Sequence, residues 1–147
     1  MAFVKIQRKN NCCVSRSVGY NKHMTTKREF DLITVDNATD MHWLRLQNLY
    51  PVLKAHGRPV VRFDARYTKC LGFCDSEAGI ITLAYKYFPK NRDTMLNEVL
   101  PHELAHFADY CMIGWKEWEI LEGHGPNWQK IMVSLGLEPT LEIYVKR

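Results

Sequence analysis

Three residues able to do chemistry together stand in the run Pro101-His102-Glu103-Leu104-Ala105-His106, and a fourth, His124, lies between Gly123 and Gly125. On a helix, residues four apart project from one face, one turn above the other. His102 and His106 can therefore offer two imidazole nitrogens to one metal ion. Glu103 is turned about 100° from His102, so it can flank the ion without ligating it. It is then free to take a proton from water activated there. A catalytic zinc takes three protein ligands and keeps a fourth position for water. The third ligand must come from outside the helix. His124 is the first candidate, because its flanks fix it and it lies far enough beyond His106 for one loop to return. Glu119 or Glu122 is the rival. Such a set hydrolyses a polarised carbonyl, with Glu103 passing the proton to the departing amine. Tyr110 and Tyr144 are candidates for an extra donor to the oxyanion.

The elements that must position these residues are partly legible. A helix is expected from a cap at Asp93 or Thr94 to about Cys111. Leu96, Leu100, Leu104, Phe107 and Cys111 form its core stripe, and His102 and His106 share the adjacent stripe with Met95 and Val99. Glu103 falls on the boundary. Pro101 must bend this helix or reset it at the first ligand, since proline lacks the N–H the turn needs. Pro126 suits the first position of a further helix. Its residues Trp128, Ile131, Met132 and Leu135 follow the i, i+3, i+4, i+7 rule before Gly136 ends it. His124 thus precedes an element anchored by its own apolar face. Between the two helices, Trp115 and Trp118 either contact substrate as a lid or pack beneath their loop.

Upstream, residues 39–56 read as a helix that Pro51 splits and Gly57 stops, with His42 and His56 facing solvent. Residues 60–84 read as a β-meander with a hairpin loop at 75–79. Short strands are expected around Phe3, Val4 and Ile6, and at 31–35. The alternation of Leu141, Ile143 and Val145 with polar neighbours predicts a closing half-buried strand.

Composition sets the outer bounds. A chain of 147 residues, 46% hydrophobic and 24% charged, is an ordinary one-domain globular protein. No apolar run approaches the roughly 20 residues a membrane helix needs, and no apolar segment follows the basic N-terminus as in a signal peptide. A cytoplasmic or nucleoid-associated protein, not a secreted one, is the expectation. Five cysteines, at 12, 13, 70, 74 and 111, form no disulfide framework. Cys70 and Cys74 are expected as buried or half-buried thiols. Residues 1–30 carry Lys5, Arg8, Lys9, Arg16, Lys22, Lys27 and Arg28 against Glu29 alone, so the net +4 of the chain is concentrated there. Residues 1–36 are expected as a basic arm, partly ordered at best, ahead of a folded domain at 37–147. Lys5, Arg8, Lys9 and Arg16 are its candidate phosphate contacts; a merely solvated terminus is the plainer reading.

Residues 94–133 resemble the metallopeptidase core of the SprT-like family, which includes the Spartan-type proteases. The residues that carry the likeness are Asn97-Glu98-Val99-Leu100-Pro101-His102-Glu103-Leu104-Ala105-His106 and His124-Gly125-Pro126-Asn127-Trp128. Weaker likeness extends through 65–72 and 80–83. The resemblance implies a small α+β, zincin-like domain, with a short, mostly antiparallel sheet packed on the His102–His106 helix and flanking helices. It implies one zinc ion on His102, His106 and His124, with Glu103 as general base. It further implies that an edge strand near 80–83, including Ile81 and Leu83, binds an extended peptide by adding it to the sheet. Many relatives carry a cysteine-rich zinc ribbon or DNA-binding tails after this core. The sequence given has no cysteine after Cys111, so contact with DNA is expected through the basic arm, another surface or a partner. The expected function is zinc-dependent endoproteolysis of protein substrates, DNA-associated or DNA-crosslinked ones among them, by a monomer. The alternative is a non-catalytic, zinc-stabilised module that binds DNA or protein.

Overall fold

The computed structural model describes residues 2–5, 26–114, 123–140 and 142–147. Strand β1 (Ala2–Lys5) is followed by helix α1 (Lys27–Leu49), a 3₁₀ turn (Pro51–Ala55), and strands β2 (Val60–Asp64), β3 (Gly72–Asp75) and β4 (Ile80–Ala84). A second 3₁₀ turn (Phe88–Lys90) leads into one continuous helical stretch. It comprises a single turn α2 (Arg92–Thr94), a wide π turn (Met95–Val99) and α3 (Leu100–Ile113). Helix α4 (Pro126–Ser134) and strand β5 (Glu142–Val145) close the chain. The architecture is α+β, as expected.

Helix α1 starts well before residue 39 and runs through 31–35, where a short strand is expected from sequence. Its start is a capping box. Thr26 Oγ1 accepts from the Glu29 N–H at 3.2 Å, and the Glu29 carboxylate accepts from the Thr26 N–H at 2.5 Å. The buried residues of α1 are Asp31, Val35, Thr39, Trp43 and Leu46, at helical spacing. Two of the five are polar, which hides the stripe from a count of apolar residues. Each polar member is satisfied inside. Thr39 donates to Val35 O at 2.7 Å, and Asp31 accepts from Tyr85 Oη at 3.1 Å and pairs with Arg92. Pro51 does end the helix, and the chain continues as the 3₁₀ turn.

Strand order corrects a second expectation. β4 lies in the middle of its sheet, parallel to β2 and antiparallel to β3, in the order β2-β4-β3. The segment is therefore no meander, because β2 and β3 are not neighbours. β4 is no edge strand either. Ile81 and Leu83 are both fully buried, so they line the core and not a peptide groove. Replacing either by alanine is expected to lower stability by roughly 2–5 kcal/mol and to leave KM for any substrate unchanged; denaturant melts beside steady-state kinetics check this. β1 and β5 pair antiparallel as a separate two-stranded ribbon, Phe3 opposite Tyr144, which accounts for the expected terminal strands.

α3 packs against β3, α1 and α4. Every residue from Leu100 to Asp109 is buried, so these turns have no solvent face and the two-stripe division read from sequence does not hold along them. A helix buried all round is the centre of the domain. Among the described residues no helix is long and apolar enough to cross a membrane.

Candidate metal centre

His102 and His106 project from successive turns of α3, and their Nε2 atoms lie 3.2 Å apart. His124 precedes α4 and brings its ring to 4.5 Å from His106 and 5.8 Å from His102, centroid to centroid. One nitrogen from each of the three lies within 4.8 Å of the others. A small tetrahedral ion, with bonds of about 2.0–2.1 Å, sets neighbouring ligand nitrogens roughly 3.3 Å apart, a spacing the His102–His106 pair meets. Among the described residues the group has these three members. Glu119 and Glu122, the rivals for third ligand, lie outside the described residues, as do Trp115 and Trp118 of the expected lid and Arg8, Lys9 and Arg16 of the basic arm. Lys5 ends β1.

Burial prepares the imidazoles. His102 is fully buried, and burial, with the adjacent His124 adding to it, pushes its pKa down to about 3. The ring is neutral at any physiological pH and keeps a lone pair for a metal. Neutrality has a stability consequence. The unfolded chain binds a proton at this histidine below about pH 6.5, whereas the folded chain refuses it until about pH 3. Its contribution to stability is therefore full above pH 6.5 and is lost as pH falls toward 3. Chelator-treated protein is expected to melt at lower denaturant at pH 4.5 than at pH 7, and His102→Phe should flatten that dependence.

Trp128 forms the wall of the site. Its indole stacks on His106 at 5.3 Å and 20°, and meets His102 at 5.0 Å and His124 at 4.7 Å edge-on. Sequence reading placed Trp128 in the core stripe of α4, and it is buried there. Its second role, packing against all three rings, left no signal beyond its spacing from His124. Asp109, one turn past His106 and fully buried, accepts from Asn127 Nδ2 at 2.7 Å. This bond ties α3 to the first turn of α4 and so holds the His124 mount. Among the described residues Cys74 and Cys111 do not belong to the group that could hold an ion. Burial, then the Glu103 charge, pushes Cys74 up, and burial pushes Cys111 up to about 11.

Glu103 is 2% exposed and lies against the backbone of β3. A Cβ on Gly72 would stand 2.9 Å from both Glu103 Cγ and Oε1 and 3.0 Å from Val99 Cγ1. The glycine is needed for space. In sequence Gly72 looks like any strand residue, and only the helix lying on β3 shows its purpose. Gly72→Ala is expected to destabilise by roughly 1–3 kcal/mol and to push the carboxylate aside. A denaturant melt beside the wild type checks this.

An α+β domain that gathers three imidazoles from a buried helix and the mount of a second one is a candidate metalloprotein. The chain belongs to the SprT-like family, whose model matches residues 44–147. It is also similar to Protein SprT of Pseudomonas syringae pv. syringae (strain B728a), at 29% identity over 75 residues. That match covers 51% of this chain and 43% of the relative, so the chain spans under half the length of the relative it matches. No solved structure matches the chain.

Proposed function

We propose that this protein is a zinc-dependent endopeptidase that cleaves protein substrates, with zinc on His102, His106 and His124 and Glu103 as general base. The observation that carries the reading is the approach of nitrogens from three histidines to within 4.8 Å of one another, with the buried Glu103 next to the first of them in the chain. Zinc bound there supplies a Lewis acid that brings the pKa of water toward about 7 and polarises a peptide carbonyl. Glu103 holds the proton taken from the attacking water and delivers it to the departing amine. Its packing against Gly72 keeps the carboxylate in place through both transfers.

Substrate would lie along β3 rather than β4. β3 is an edge strand among the described residues. Leu71 O accepts from the Ala84 N–H at 2.9 Å, so by antiparallel alternation the N–H and C=O of Gly72 and Cys74 point away from β4. An extended peptide paired there runs past Glu103. The test is zinc analysis together with cleavage of an unfolded protein substrate, with and without DNA. Stoichiometric zinc and chelator-sensitive cleavage are expected. Zinc retained with no cleavage of any substrate would favour a binding module instead.

A further inference from the structure

The helical stretch that carries the ligands contains a defect whose repair comes from another element. Ahead of α3 the backbone takes the wide register, in which each N–H reaches five residues back; the Leu100 N–H bonds Met95 O. The next bond in that register would run from residue 101 to Leu96 O. Residue 101 is proline and has no N–H to give. The orphaned carbonyl is met instead by a side chain from α1: His42 Nε2 stands 2.9 Å from Leu96 O. A carbonyl only accepts, so the His42 ring donates from Nε2. Sequence reading placed His42 in solvent; the ring is instead part-buried in this bond.

We propose that His42 is a positioning residue for the metal centre: its ring N–H replaces the one Pro101 lacks and fixes the turn from which His102 projects. The role rests on the reading of His102, His106 and His124 as a metal site. His102 follows Pro101 directly, and a change of helical register by one residue turns a side chain by about 100°. The junction between the wide turn and α3 therefore sets the aim of the first ligand. His42 holds that junction from 54 residues away in sequence. The same bond explains how a proline is accommodated inside a buried helix one residue before a ligand. Its missing donor is supplied by a packed neighbour rather than by water.

The test is a cycle of His42→Ala, Pro101→Ala and the double variant, read as zinc affinity by competition with a chromophoric chelator and as melting temperature of the metal-free protein. His42→Ala is expected to weaken zinc binding by roughly 10–100-fold, as loss of an outer-sphere contact does at metal sites. Pro101→Ala alone should change it little. The double variant should regain most of the lost affinity, because alanine restores a backbone N–H at residue 101. His42→Gln keeps a side-chain N–H of similar reach and should bind zinc nearly as wild type, which preserves the test if the alanine variant folds poorly. Equal weakness of the single His42→Ala and the double variant would overturn the proposal. So would coupling seen in melting temperature but not in zinc affinity, since that marks a purely structural bond. A wild-type protein that binds no zinc would instead overturn the metal site itself.

Discussion

Glu103→Gln is expected to bind zinc as wild type does and to lose hydrolysis by about 10²–10⁴-fold, the usual contribution of a positioned general base. The amide is close to isosteric with the carboxylate, so it occupies the same space against Gly72 and Val99. It cannot take a proton from water at neutral pH. The amide also keeps a hydrogen-bonding group in the buried position. The variant should therefore melt close to wild type. Zinc content, melting temperature and kcat measured on one preparation check all three parts. A Glu103→Gln protein that cleaves as fast as wild type would remove the base from the mechanism and leave the ligand set standing.

His124→Ala is expected to weaken zinc binding by more than about 100-fold, beyond the 10–100-fold that loss of a supporting contact produces. Two imidazoles on α3 remain, but the third nitrogen that completes the group is gone. The effect on the metal-free fold should be small, because His124 lies ahead of α4 and is only partly buried, while the core stripe of Trp128, Ile131 and Met132 is untouched. Loss of metal without loss of structure is what separates a ligand from a core residue here. Competition titration and a denaturant melt distinguish them directly. Zinc affinity equal to wild type would point to a ligand among residues 115–122.

Much of the site was open to sequence reading because its logic is local. A spacing of four on a helix puts His102 and His106 in contact whatever surrounds them, and the glycine–histidine–glycine–proline run mounts His124 on a helix whose stripe is plain. The start of α1 was equally local and was passed over: Thr26-Lys27-Arg28-Glu29 is a capping box. What followed it misled, because Asp31 and Thr39 take core positions, Asp31 through partners distant in the chain and Thr39 through the carbonyl one turn back.

Other features were decided by the tertiary fold alone. The hairpin pairing of β3 with β4 was legible in the short loop that joins them, but the parallel pairing of β4 with β2 is set across a longer connection. Nothing in residues 80–84 says that β2 lies on one side and β3 on the other. The need for glycine at 72 arises when α3 lays Glu103 on that strand, and the donor for Leu96 O comes from α1, far away in the chain. The amino-acid sequence by itself determined which atoms could meet a metal ion, because helix geometry is the same everywhere. Only the packed structure decided where the carboxylate rests, which strand is left open beside it and what holds the broken turn, because each depends on surfaces that do not exist until the chain has closed on itself.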